Sequence, residues 1–304
     1  MLLNLFTTFC LSLLPQRSDT FPKYDPEFAR FAFEHAAAAY SYNPLKCVRK
    51  YDGTYILRQA NISCDYFHDK CLYYISVSPT FVVVAFRGTN SKFQLTAEIL
   101  ASLTTPKTKF IGGGSVQRYF NSAFKSAWKD MKLSLKKLLK TNKTRPVLFT
   151  GHSLGGALAA LASTEFAYLY FMKKQRPVDI RLVTFGEPRV GDRNFAFVHD
   201  TLVPQSFRLV HGGDLISHLP NCLVNLRTFK CISRYSIGPY HHGFEIWYPE
   251  NMTANSTYQL CNGKPQDEDQ LCSDGNYLHY NIHDHLFYFD VHVSKYGIEG
   301  CNAN

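Results

Sequence analysis

Arg145-Pro146-Val147-Leu148-Phe149-Thr150-Gly151-His152-Ser153-Leu154-Gly155-Gly156-Ala157 carries the strongest local signal in the chain. The apolar run reads as a buried strand. It ends in Gly151-His152-Ser153-Leu154-Gly155, and a small-residue segment then reads as a helix. That is G-x-S-x-G in the strand–turn–helix setting of a nucleophile elbow. The serine of such a turn has a strained backbone, and its neighbours must lack side chains or the backbones collide. Gly156, Ala157, Ala159 and Ala160 let the helix lie close to a sheet. The helix N-terminus turns partial positive charge toward the place where an oxyanion would form.

Upstream, Asp25-Pro26-Glu27 opens a helix, with Asp as cap, Pro in the first turn and an acid beside it. Phe28, Phe31, Ala32, His35 and Ala39 then share a face. Phe81-Val82-Val83-Val84-Ala85-Phe86 reads as a strand buried on both faces and ends at Arg87-Gly88-Thr89. Asn90–Pro106 is a weakly amphipathic stretch, either a surface helix or a lid over the site. Val116–Lys140 reads as a long helix burying Phe120, Phe124, Trp128, Met131, Leu135 and Leu138. Lys129, Lys132, Lys136, Lys137 and Lys140 form its basic remainder.

Downstream come further strands at Val178–Phe185, Ser206–Val210 and His242–Tyr248. Strands alternating with helices predict an α/β sheet. The 304 residues show no repeat, low-complexity tract or linker, so a single domain over 19–304 is expected. A serine hydroxyl needs an imidazole to take its proton and a carboxylate to orient that imidazole. After Ser153, the order Ser…Asp/Glu…His offers Asp214, in a Gly-rich turn after a strand, and His283 or His285 near the C-terminus. Asp179, Asp192 and Asp200 compete. Asp179 stands at the start of its strand and belongs at the wrong edge of the sheet. If the last segment is extended, His283 and His285 share a face and Asp284 points away.

The first residues, Met1 to Pro15, form an apolar run too short to span a bilayer, and a leader over 1–18 is expected. No other stretch is long and apolar enough to cross a membrane. Of nine cysteines, Cys10 falls in the leader, and an even number remains for an oxidised framework. Asn61, Asn142, Asn251 and Asn255 begin glycosylation triplets. These features together predict secretion. The net charge of +9 reads as a solvated basic surface, with contact to a lipid surface as the alternative. There is no nucleic-acid module, and no metal or cofactor is expected.

Five segments together resemble the class 3 lipases, a fungal-lipase-like family of α/β hydrolases. They are Phe86-Arg87-Gly88-Thr89, Gly151–Ala157, Thr184–Asp192, Asp214-Leu215-Ile216-Ser217-His218-Leu219-Pro220 and His285-Leu286-Phe287-Tyr288-Phe289. They occur in the family's order over roughly two thirds of the chain. The resemblance implies the α/β-hydrolase fold, with Ser153 as nucleophile, Asp214 as orienting acid and His285 as base. His285 is favoured over His283 because the family's base stands just before the Leu-x-Tyr-Phe run. An oxyanion hole is implied from the backbone N–H groups of Thr89 and Leu154, with the Thr89 hydroxyl helping. The same resemblance suggests the bridges Cys47–Cys301, Cys64–Cys71 and Cys261–Cys272, leaving Cys222–Cys231. The activity implied is triacylglycerol hydrolysis at a lipid–water interface. Phospholipase A1 or another esterase on the same scaffold, or a non-catalytic lipid-binding protein, are the alternatives.

Overall fold

The structure, a computed structural model, describes residues 22–63, 70–89, 106–141, 145–173, 178–222, 238–253, 255–261 and 268–302. The expected leader, the Asn90–Pro106 stretch up to residue 105, Asn142, Cys64 and Cys231 lie outside them.

Helix α1 (Pro26–Ala38) begins where its cap predicts. Asp25 Oδ1 accepts from Glu27 N at 3.0 Å and Phe28 N at 3.3 Å. After the one-turn α2 (Leu45–Val48) come β1 (Tyr55–Ser63), β2 (Lys70–Val77) and β3 (Val82–Phe86), paired antiparallel in sequence. Every residue of β3 is buried, as its continuous apolar run requires. A short hairpin, β4 (Lys107–Lys109) with β5 (Ser115–Gln117), leads into α3 (Arg118–Thr141). The long helix expected from Val116 therefore starts at Arg118. Its first two residues are held in a strand instead: Val116 bridges to Gly191, and Gln117 N donates to Val190 O at 2.9 Å. All six apolar residues expected on its inner face are buried.

The centre of the chain alternates strand and helix. It runs β6 (Val147–His152), α4 (Leu154–Met172), β7 (Ile180–Phe185), α5 (Arg193–Leu202) and β8 (Gln205–His211). Then follow β9 (Phe244–Tyr248), β10 (Gln259–Leu260), α6 (Ile282–Leu286), β11 (Phe287–Tyr288), β12 (Val291–His292) and α7 (Val293–Ile298). The main sheet has the order β1-β2-β3-β6-β7-β8-β9-β10. Strands β3, β6, β7, β8 and β9 are parallel, and β10 returns antiparallel. This is the α/β-hydrolase layout.

Both faces of the sheet are covered, as a parallel sheet demands. On one face Val82, Val84 and Phe149 pack under α3 and α4. On the other, Val83, Leu148 and Phe185 pack under α1 and α7, with Tyr288 and Phe289. Burying each large side chain here contributes roughly 1.5–3 kcal/mol. Helix α4 is buried from Leu154 to Ala167, which explains an apolar and small-residue composition all round its axis. Helix α7 docks so closely that a Cβ on Gly297 would stand 1.9 Å from Ala37 O.

The Cys47–Cys301 bridge fastens that docking, with Cα atoms 4.9 Å apart and a sequence separation of 254. Cys261–Cys272 is also formed. Cys71 and Cys222 are disulfide-bonded as well, and the partners expected for them are outside the described residues. Asn61, Asn251 and Asn255 are exposed. Among the described residues no helix is long and apolar enough to cross a membrane.

Because Cys47–Cys301 closes nearly the whole chain, its loss releases a large denatured-state entropy. The double variant Cys47→Ser/Cys301→Ser should lose roughly 2–5 kcal/mol of stability. Equilibrium urea unfolding checks this. An unchanged midpoint would show that α7 docks without help from the bridge.

Candidate active site

Strand β6 delivers Ser153 at the carboxyl edge of the sheet, where α/β folds place their sites. Ser153 sits at φ 59°, ψ −131°, a left-handed backbone that costs a non-glycine residue on the order of 1–3 kcal/mol. Its surroundings over-determine that conformation. Ser153 N donates to Phe185 O at 2.9 Å, and Gly156 N donates to Ser153 O at 2.9 Å. A Cβ on Gly155 would meet Phe86 O at 2.3 Å, and one on Gly88 would meet His152 O at 2.4 Å. The end of β3 is thus pressed against the turn, and Thr89 follows immediately. Leu154, the first residue of α4, has its N–H at the unsatisfied end of the helix.

The three residues expected to act together are together. The Ser153 hydroxyl lies 2.9 Å from His285 Nε2, and His285 Nδ1 lies 3.0 Å from each carboxylate oxygen of Asp214. The carboxylate fixes Nδ1 as the donor, which leaves Nε2 to accept from the serine. All three are buried.

Asp214 also accepts from the Tyr288 hydroxyl at 2.7 Å and from Ile216 N at 2.9 Å. Burial alone would push its carboxyl up. The charge and hydrogen bond of His285 and the Tyr288 hydroxyl outweigh that and hold it down at about 2. His152, beside the serine, stays neutral, because burial first and the charge of His285 second push it down to about 3. Its Nε2–H donates to the His285 carbonyl at 2.8 Å, so Nδ1 accepts from the Tyr40 hydroxyl at 2.8 Å.

The segment that holds His283 and His285 is a helix, α6, and not the extended run in which the two would share a face. Asn281 caps it, its side chain accepting from Asp284 N at 2.8 Å. In a helix, residues two apart point roughly 200° apart. His285 is 1% exposed and faces the serine, while His283 is 73% exposed and faces away. Asp284 does point away from the triad. Its Oδ2 accepts from Gly213 N at 2.7 Å and so ties α6 to the turn that carries Asp214. The sequence held a sign of this helix: Asn281 followed by Asp284 three residues on resembles a capping box.

The rival carboxylates have other work. Asp179 pairs with Arg181, Asp192 caps α5, and Asp200 accepts from Gly243 N. His211 bonds the Phe287 carbonyl, and the His218 ring packs tilted against Tyr280. Gly186, Tyr40 and Tyr288 were not singled out by the sequence as site residues. Gly186 has φ 59°, and a Cβ there would stand 2.6 Å from Asp214 Oδ2 and 2.8 Å from His285 Nδ1.

Residues 83–224 match the family model described as Lipase (class 3). The Caenorhabditis elegans protein Lipase ZK262.3 is 36% identical over 326 aligned residues, covering 98% of this chain and 90% of that one. The chain belongs to the class 3 lipases. The structure of lipase II from Rhizopus niveus superposes on this class 3 lipase with a TM-score of 0.70 at 25% identity, covering 88% of this chain and 97% of that one. Phospholipase A1-IIalpha of Arabidopsis thaliana is 31% identical over 165 residues, covering 46% of this chain and 38% of that relative. The class 3 lipase is therefore a carboxylic ester hydrolase, and the alternative of a non-catalytic lipid binder falls.

The depressed Asp214 carboxyl makes the lipase's stability depend on pH. A folded pKa below the ordinary 3.8 means that the group stabilises the folded state above about pH 4. That contribution, on the order of 2 kcal/mol, is lost as pH falls toward 2. Urea unfolding from pH 5 to pH 2, compared between wild type and Asp214→Asn, should show the gap between them closing over that window. A constant gap would refute the linkage.

Proposed function

We propose that the protein is a secreted triacylglycerol lipase working through Ser153, His285 and Asp214. The observation that carries the reading is the buried hydrogen-bond chain from Ser153 Oγ through His285 to Asp214. The serine proton passes to His285 Nε2 as Oγ bonds to the ester carbonyl carbon. The N–H groups of Thr89 and Leu154 and the Thr89 hydroxyl receive the oxyanion. His285 then gives its proton to the departing glycerol oxygen, leaving an acyl-serine. A water deprotonated by His285 releases the fatty acid and restores the serine. Asp214 stays ionised throughout. It holds the tautomer and stabilises the imidazolium, and Tyr288 positions it.

Secretion is supported by the disulfide framework and the leader-like first residues. The exposed Asn61, Asn251 and Asn255 are proposed as glycan carriers. Substrate is proposed to be met at a lipid–water interface, with Asn90–Pro106 as the lid. Phospholipase A1 activity is the second reading, favoured by the similarity to the plant phospholipase A1 over nearly half the chain.

A hydrolysis panel of emulsified triglycerides, phospholipids and short soluble esters tests the substrate class. Triglyceride should be cleaved fastest, and faster above its solubility limit than below. A preference for phospholipid would replace the first reading with the second.

The assignment of the base has its own test. His285→Ala should lower turnover by roughly 10⁴-fold or more, with circular dichroism unchanged. His283→Ala should stay within about tenfold of wild type. An active His285→Ala protein would refute the assignment.

A further inference from the structure

The turn that carries Gly186 leads into a second buried polar cluster, which the triad does not use. His199 and Asp200 on α5 and His242, in the segment before β9, are all buried. One ring nitrogen of each histidine and one carboxylate oxygen of Asp200 lie within 4.8 Å of one another.

The far side of each imidazole is held. His242 Nε2 lies 2.8 Å from Glu187 Oε1. Its other nitrogen, Nδ1, is buried without a hydrogen-bond partner among the described residues, an unfavourable arrangement if nothing is bound there. His199 Nδ1 lies 2.7 Å from the Thr164 hydroxyl, which donates its own proton to Ala160 O at 2.7 Å. Nδ1 must therefore donate, and Nε2 carries the lone pair. That nitrogen is 2.9 Å from Ser206 Oγ. Asp200 Oδ1 is oriented by Gly243 N at 2.7 Å. Imidazoles fixed through the far nitrogen by a carboxylate or hydroxyl are the usual second layer of a metal site.

Arg208 places one cation beside the cluster, donating to His242 O at 2.6 Å. Glu245, 3.6 Å from that guanidinium, offsets it.

We propose that His199, Asp200 and His242 bind a zinc ion. Two imidazole nitrogens and a carboxylate oxygen are a donor set suited to Zn²⁺. Ligand atoms on a tetrahedral zinc stand about 3.3 Å apart, given bonds of about 2.0 Å, so small side-chain rotations close the cluster onto the ion. The donors are buried, which makes the role structural. The ion ties α5 to the segment entering β9. Through His242 and Glu187 it also braces the Gly186 turn against His285. Nothing local in the sequence joins His199 to His242, which are 43 residues apart.

The full chain is purified, incubated with zinc chloride and dialysed free of loose metal. Plasma mass spectrometry should then find about one zinc per chain, and stripping it with dipicolinate should lower the thermal midpoint. His242→Ala and Asp200→Asn should each retain less than about a tenth of the wild-type zinc. Zinc retained at the wild-type level by His242→Ala would overturn the assignment. If the variants do not fold, wild type decides alone. Less than about 0.1 zinc per chain, with no midpoint shift on adding zinc, would reduce the cluster to a hydrogen-bonded network and end the proposal.

Discussion

A carboxylate with no exposure to water holds the site together. Asp214 has lost its hydration, and an ion buried without compensation is prohibitively costly. Its oxygens are met by His285 Nδ1, the Tyr288 hydroxyl and the amide of Ile216. Those donors come from three places: α6, β11 and the 3₁₀ turn after Asp214 itself. The same requirement therefore folds the C-terminal residues back over the end of β8. Two backbone bonds complete the closure, Leu215 N to Asn281 O and Asn281 N to Gly213 O. The charge that orients the base is also what draws its segment in.

Close backbone approach is the second constraint. Gly155 lies against Phe86 O, Gly88 against His152 O and Gly186 against both Asp214 and His285. Each tolerates no Cβ, because the atom would enter a neighbour's van der Waals radius. The strained Ser153 is held by these walls and by its bond to Phe185 O. A site assembled from glycine contacts and short bonds is preorganised, because little can shift without a collision. His152 adds to this by holding the carbonyl of His285 through a neutral imidazole.

The ester hydrolase site and the buried His199–His242 cluster share one connection. Gly186 touches the triad, and Glu187, the next residue, bonds His242. Thr184, at the end of β7, also donates to Glu187, at 2.5 Å. The turn after β7 thus has one face in each cluster, and its geometry depends on both.

By itself the sequence determined what is local. The buried strand Val82–Phe86, the Asp25 cap, the elbow around Ser153 and the apolar stripe of α3 each follow from neighbours along the chain, where periodicity and turn chemistry act. Asp214 was legible too, as an acid in a turn after a strand. Between His283 and His285 the residues alone left the choice open, because the answer depends on whether the segment is helical and on what it faces. Tertiary structure decided it: Asn281 caps a short helix, and one histidine turns inward. It also decided that Val116 belongs to a strand, since its partner at Gly191 lies far along the chain. Tyr288, Tyr40 and Gly186 joined the site for the same reason. The bonds of His285 to Asp214 and to Ser153 span 71 and 132 residues. Contacts at such separations leave no periodic trace in sequence, and folding alone brings their partners within reach.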